Sequence, residues 1–352
     1  MSNAPDFQRI EHVTPIIKAD ELAFVRFERK DADQMARFLK DFGLIPVADT
    51  PGPSLYFRAT GILPYQVEII PSDRDYFVGA GYLAKSGADL ETLSAASGVP
   101  IEPADGPGGG KRVRLIDPDG SLIDVVAGFP PAQPIETRRD LLAANTPEQK
   151  NRINKGVRTS VCPTPVHRLG HYVIFTPDFA TTVNWYMKWL GFLPTDVLTG
   201  AEGVPCGGFF RLNRGAMPTD HHNLAVFAAL EKGVHHVSLE TLDIDEVGQG
   251  QQYLKNTEWK HFWGLGRHIL GSQLFDYWLD PTGLEWEHYA DGDVMTEDFE
   301  EGYFLVGRNE LWAWGDDLPG ETRPAPEAVK NAPPHLKGLL EAWDKPARPW
   351  LP

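Results

Sequence analysis

The strongest constraint on the fold of this chain is that it repeats itself. Near the start LAFVRFE precedes FGLIPVAD, and from Leu169 the pair returns as LGHYVIF and LGFLPTD; further along, DPDGSLIDVV is answered by DPTGLEWEHY. Each half divides again. In the first, LAFVRFE alternates with the period of a strand. DADQMARFLKDFG then puts Met35, Phe38, Leu39 and Phe42 on one helical face with Gly43 as the C-cap, and LIPVAD, SLYFRAT and YQVEII read as short strands. A second unit keeps the same order, with YFVGAGYLA as a strand, ADLETLSAASG as a helix and KRVRLIDPDGSLIDVVAG as a hairpin. The second half repeats both. LGHYVIFTPD, FATTVNWYMKWLGF, GGFFRLN and NLAVFAAL form one unit; VHHVSLETL, DIDEVGQGQQYLKN, HILGSQLFDYWLD and GLEWEHYA form the other. A curved sheet made by one βαβββ unit cannot close a core alone, so four modules should pair into two α+β domains.

The expected organisation is an arm over residues 1–20, an N-terminal domain over 21–129, a linker rich in proline and charge over 130–165 with room for one helix, a second domain over 166–290, and a C-terminal extension over 291–352 that packs on the surface or on a neighbouring subunit. A chain of 352 residues, 42% hydrophobic, can bury two such cores. A formal charge of -16 argues against nucleic acid and anionic membrane as partners. Cys162 and Cys206 are too few for a disulfide framework. No run approaches the ~18 apolar residues of a membrane span, and MSNAPDFQRI lacks a basic segment followed by an apolar one, so the expected location is the cytoplasm.

Chemistry concentrates in the second half. His171 lies in the first strand of the third unit and His236 in the corresponding strand of the fourth. A lone histidine on an apolar strand is usually a core or surface residue; two at equivalent positions of units that must pair point to a shared site. Glu287, four residues past Gly283, lies on a strand beside that of His236, and Glu285 shares its parity, so strand alternation does not choose between them. Two imidazoles and one carboxylate with open coordination positions suit Fe(II), and Mn(II) accepts the same donors. The first half carries Phe24 at the position of His171, Gly81 at that of His236 and Asp124 opposite Glu287, and therefore reads as a duplicate without a catalytic metal. GPGGGKR lacks the pattern of a phosphate loop and leads into a strand. Asp178 reads as a helix cap, TEDFEEG as a solvated face or lid edge, and Trp185, Trp189 and Trp286 as core. Phe209 and Phe210 face opposite sides of their strand, so one is core where the other can line a pocket.

LGHYVIFTPD with WYMKWLGF, HHNLAVFA, VHHVSLE, GRHILGSQLFDYWLDPTG and LEWEHY together resemble the C-terminal domain of type I extradiol ring-cleaving dioxygenases of the vicinal oxygen chelate superfamily, the 2,3-dihydroxybiphenyl and catechol 2,3-dioxygenase type; the likeness runs from Glu21 to about Tyr289. The resemblance implies two vicinal-oxygen-chelate domains and a metal held by His171, His236 and Glu287, which favours Glu287 over Glu285. It also places His222 (His221 is the poorer match), His268 and Tyr277 as the residues acting on bound oxygen and substrate. It further implies ferrous iron, with Mn(II) possible, a small aromatic diol of the catechol or hydroquinone type and O2 as substrates, a role in aromatic-compound degradation, and a homo-oligomer. Asp276 departs from the apolar residue usual beside the tyrosine. Two alternatives compete. A glyoxalase-like metal-dependent lyase or isomerase has no use for His222, His268 and Tyr277, and a non-catalytic binding protein has none for the full donor triad.

Overall fold

The computed structural model describes residues 7–319 apart from 49, 51, 139–144, 159, 201 and 308–310, together with 336 and 340. The first unit is β1 (Glu21–Arg29), α1 (Ala32–Asp41), β2 (Ile45–Pro46), β3 (Leu55–Arg58) and β4 (Val67–Pro71). The second is β5 (Tyr76–Leu83), α2 (Gly87–Ser97), β6 (Glu102–Pro103), β7 (Lys111–Ile116) and β8 (Leu122–Ala127). The third comprises β9 (Arg168–Thr176), α3 (Phe179–Leu190), β10 (Phe192–Thr199), β11 (Pro205–Leu212), the short β12 (Thr219–Asp220) and β13 (Leu224–Ala228). The fourth comprises β14 (Gly233–Glu240), α4 (Ile244–Leu254), β15 (Lys260–Arg267), β16 (Leu274–Leu279) and β17 (Glu285–Ala290); β18 (Val294–Met295) and β19 (Gly302–Leu305) follow.

Four βαβββ units thus build two sheets in the glyoxalase/extradiol dioxygenase architecture, ordered β2-β3-β4-β1-β5-β8-β7-β6 and β15-β16-β17-β14-β9-β13-β11-β10-β19. In each, the first strands of two units meet antiparallel at the centre, β1 on β5 and β9 on β14. The local signals act as expected at most helix ends. Asp31 accepts from the Gln34 N–H and Asp178 from the Thr181 N–H, and Gly191 closes α3 in the left-handed region. The C-cap of α1 is Phe42, and Gly43 follows it at φ +101°, where a Cβ would fall 1.9 Å from the Thr164 carbonyl oxygen.

Two parts of the chain depart from the sequence reading. HILGSQLFDYWLD is not one strand: β15 ends at Arg267, Gly271 and Ser272 turn the chain at φ +81° and +56°, and β16 starts at Leu274. Residues 291–352 read as a surface or intersubunit tail, yet β18 pairs with β12 and β19 joins β10 at the edge of the large sheet. Trp312 and Leu318 bury against Trp263, Phe275 and Tyr277, and Leu336 enters the main core. The described residues of 130–165 contain no helix; 139–144 and 159 lie outside the described residues. No helix among the described residues is long and apolar enough to cross a membrane.

One continuous core joins the two halves. Trp286 of β17 is fully buried among Phe27, Phe38 and Phe42, with ring centroids 5.8, 5.9 and 6.1 Å away. Tyr82 and Tyr172 share a hydrogen bond of 2.8 Å across the halves, and Arg29 reaches Asp280 at 3.2 Å. His288 stacks on Phe42 at 3.7 Å and donates its Nε2–H to the Phe42 carbonyl at 2.8 Å. Burial pushes its pKa down from 6.5 to about 4, so the folded state wants it neutral. Its contribution is whole above pH 6.5 and is lost as pH falls toward 4, up to roughly 3 kcal/mol. Urea midpoints followed from pH 7 to 4 should fall more steeply for the native chain than for His288→Asn.

Candidate metal centre and pocket

β9, β14 and β17 lie side by side, and their register builds the site. Ser238 of β14 pairs with His171 on one flank and with Glu287 on the other, while His236, two residues earlier, pairs with Glu285. The donor atoms of His171, His236 and Glu287 lie within 4.8 Å of one another, and all three residues are buried. His171 Nε2 is 3.2 Å and His236 Nε2 3.7 Å from Glu287 Oε2. Neither oxygen of Glu287, nor Nε2 of His236, has a hydrogen-bond partner among the described residues. Burial alone would push the Glu287 pKa up, but the adjacent His171, His268 and His236 outweigh it and hold the carboxyl well below its usual range. Burial, reinforced by the neighbouring histidines, holds His236 and His222 well below the usual range, so both imidazoles keep a lone pair to donate. Buried, convergent and unsatisfied imidazole and carboxylate atoms fit a divalent cation; without one they carry an uncompensated desolvation cost.

Alternation along β14 would send His235 and His236 to opposite faces. A bulge between Val234 and His236 cancels this, and both rings line the cavity. Their Nδ1 atoms are 2.8 Å apart, which places one hydrogen between them. If His236 offers Nε2 to a metal, its Nδ1–H donates to His235, an orienting partner for the ligand ring. Glu285 joins this pair in a second group of potential donors, and burial, followed by the charge of Glu287, raises its pKa to about 8.

The His222 ring lies 4.0 Å from that of His171, tilted by 45°. Behind it runs a chain the sequence did not reveal: Asp196 Oδ2 accepts from His221 Nε2–H at 2.7 Å, and His221 and His222 meet Nδ1 to Nδ1 at 3.0 Å. With neutral imidazoles, the carboxylate takes the Nε2 hydrogen of His221, whose Nδ1 then accepts, so that His222 donates from Nδ1 and keeps a bare Nε2. On the other side, His268 donates Nδ1–H to the Leu311 carbonyl at 2.6 Å, leaving Nε2 to accept from the Tyr277 hydroxyl at 3.1 Å. Burial, then the charge of Glu287, pushes Tyr277 well above its usual range, so it remains a neutral donor.

These groups open onto a cavity of about 370 Å³ with apolar walls that include Val173, Phe175, Phe209, Phe227 and Trp263. Phe209 lines it while Phe210 belongs to the core. Asp276 faces away from the cavity and ties together His261 at 2.8 Å, Gln251 at 2.9 Å and Trp278 at 2.6 Å, a structural junction under the tyrosine beside it. The structure therefore places five of the six sequence-selected residues in the lining of this cavity, with Glu287 beside His171 and His236. Missing from the sequence reading were His235, Asp196, the lining Phe262 and Trp263 of β15, and Leu311, Leu318, Leu336 and Leu340 from the C-terminal segment.

The N-terminal sheet corrects one equivalence. Gly81 pairs with Phe24 and with Asp124 as Ser238 pairs with His171 and Glu287, so the counterpart of His236 is Gly79, two residues earlier. Gly81 serves Phe24, whose ring lies 2.2 Å from where a Cβ would stand. Asp124 is instead claimed by arginines: Arg26 Nη2 at 2.7 Å and Arg114 Nε at 2.7 Å, with Arg26 Nε also on Glu68 at 2.8 Å.

Paired βαβββ units with two histidines and a carboxylate on adjacent central strands define the vicinal-oxygen-chelate class. Residues 168–288 match the Glyoxalase/Bleomycin resistance protein/Dioxygenase superfamily. The chain is 30% identical over 237 residues to metapyrocatechase 2 of Cupriavidus necator, covering 66% of this chain and 69% of that one. It is 24% identical over 316 residues to an iron-dependent extradiol dioxygenase of Rhodococcus jostii (strain RHA1), covering 84% and 96%. Among solved structures, homoprotocatechuate 2,3-dioxygenase of Brevibacterium fuscum superposes with a TM-score of 0.71 at 18% identity, covering 89% of this chain and 94% of that one. A Mn(II)-bound glyoxalase of Novosphingobium aromaticivorans does so with 0.70 at 24%, covering 92% and 99%. The chain belongs to the extradiol ring-cleaving dioxygenases of this superfamily.

Proposed function

We propose that this protein is an Fe(II)-dependent extradiol dioxygenase that opens the ring of a catechol- or hydroquinone-type diol with O2, in the degradation of aromatic compounds, with His171, His236 and Glu287 as metal ligands. The convergence of unsatisfied buried donor atoms of these residues beside an apolar cavity carries the reading. Iron, when bound, supplies Lewis acidity toward the phenolic oxygens and an electron path between ring and oxygen. The chain supplies the rest. His222, with its bare Nε2 held by the Asp196–His221 chain, is set to take a proton from a substrate hydroxyl and return it to the oxygen side. His268 and Tyr277 form a hydrogen-bonded pair that steadies negative charge on the substrate oxygens. The apolar walls orient the ring and exclude water.

Asp196→Asn should lower kcat about 10- to 100-fold and shift its pH profile while metal content stays at the native level, because the amide no longer dictates the hydrogen positions of His221 and His222. An unchanged profile would show that the chain is not used.

The superposition on a Mn(II)-bound glyoxalase keeps a lyase or isomerase as the second reading. Anaerobic purification with metal analysis, then oxygen uptake on a panel of catechols and hydroquinones, separates the two. About one iron per chain with oxygen consumed and a yellow ring-opened product supports the dioxygenase. A bound divalent metal, manganese included, with no oxygen uptake on any ring transfers the protein to the glyoxalase-like reading.

A further inference from the structure

We propose that Gln273 reads the ring substituent, favouring diols whose side chain carries a neutral hydrogen-bonding group (an ether, ketone or hydroxyl) over hydrocarbons of the same shape. The inference rests on the ring-cleavage reading and names the substrate class of that site. Gln273 lines the cavity and is 2% exposed, yet its carboxamide makes no hydrogen bond to any described residue. The imidazoles of the lining are already engaged, His222 with His221, His235 with His236, and His268 with Tyr277. Glu285 stands at the opposite end of the β16–β17 pair, which runs from Leu274 beside Ala290 to Leu279 beside Glu285.

The backbone around this amide is firmly tied. Gln273 closes the turn after β15, where its carbonyl accepts the His268 N–H at 2.8 Å. Arg267 donates to the Ser272 carbonyl at 2.5 Å and to Asp291 at 2.8 Å, and Asp293 accepts from the Ser272 hydroxyl at 2.8 Å. Gly292 leaves the side chain its room, since a Cβ there would stand 3.1 Å from the Gln273 Cγ and 3.4 Å from its Nε2. Gln273 and Tyr277 both line the cavity, roughly 13 Å apart along an extended strand. That offset puts the amide within reach of a ring substituent instead of the two diol oxygens. A carboxamide donates through Nε2, accepts through Oε1 and carries no charge, so it pairs with a neutral acceptor or donor. A hydrocarbon chain that fills the cavity withdraws solvent from the amide without replacing those bonds. Recognition of this kind rejects the analogue that lacks the polar atom, because the group in the site is left unpaired.

The test titrates iron-loaded protein anaerobically, by calorimetry, with catechols bearing ethyl, propyl or butyl chains on either free side of the diol. Each is compared with the ethers in which oxygen replaces one CH2 of the chain, and oxygen uptake is then followed on all of them. In the native protein at least one ether should bind as tightly as its alkyl counterpart or more so, whereas an ether oxygen buried without a partner binds more weakly. Gln273→Met, which keeps the length and removes the amide, should lower that ether-to-alkyl ratio about tenfold. Iron content and the unfolding midpoint are measured in parallel. A midpoint at or above the native value fits an amide without a protein partner; a clear fall, or failure to fold, would show that the amide serves the fold and overturn the inference. An alkyl preference at every position in the native protein, or a ratio that moves less than about threefold in the variant with iron intact, would also overturn it, while oxygen uptake leaves ring cleavage standing. If no diol is bound or consumed, the ring-cleavage reading fails and takes this inference with it.

Discussion

His236→Ala should abolish metal retention and oxygen uptake together. Its Nε2 is one of three donors converging within 4.8 Å, and alanine leaves only His171 and the buried Glu287. Metal affinity should drop by on the order of 100-fold or more, since even substitutions behind a ligand cost 10- to 100-fold. The fold should be preserved, because the strand pairing of β14 involves only backbone. The check is metal content per chain after anaerobic desalting, alongside the unfolding midpoint. Stoichiometric iron in a folded variant would show that His236 is not a ligand.

Trp286→Ala should cost about 4 kcal/mol of stability. The indole is 0% exposed and touches Phe27, Phe38 and Phe42 of the other half, so a cavity there cannot collapse without moving α1. The Nε1–H donated to Asp280 at 3.2 Å also disappears, from a carboxylate that Arg29 depends on. Trp286→Phe should recover most of the packing and none of that hydrogen bond, leaving a deficit of about 1–2 kcal/mol. Urea midpoints of the pair provide the measurement. Equal losses in both would assign the effect to the hydrogen bond; a loss below about 1 kcal/mol in Trp286→Ala would show that the halves are not coupled through this residue.

What the sequence disclosed followed from periodicity and repetition. Copies of a strand–helix–strand pattern are visible as letters, and the inward parity of His171 and His236 follows from alternation on their strands. What it withheld depended on register and distance. Glu285 and Glu287 have the same parity, and only the pairing of Ser238 with both His171 and Glu287 sets one level with the histidine. The same absence of register led to Gly81, instead of Gly79, as the partner of His236. Alternation hides His235 on the wrong face because a bulge is invisible to it. β15 escaped notice because Gly264 and Gly266 interrupt its apolar pattern. Asp196 lies 25 residues from the histidine it orients, and no local pattern links them.

The segment beyond residue 300 reaches both proton-handling arms of the site. Gly302 of β19 pairs with Asp196, and the Leu311 carbonyl sets the hydrogen positions of His268. The proposed metal donors are complete by Glu287, whereas these two attachments come later along the chain. During synthesis, which delivers the N-terminal parts first, the metal nest can therefore assemble before the groups around it acquire their working protonation pattern. In the proposed mechanism the groups around the site thus depend on β19 and Leu311, which follow the proposed metal donors along the chain.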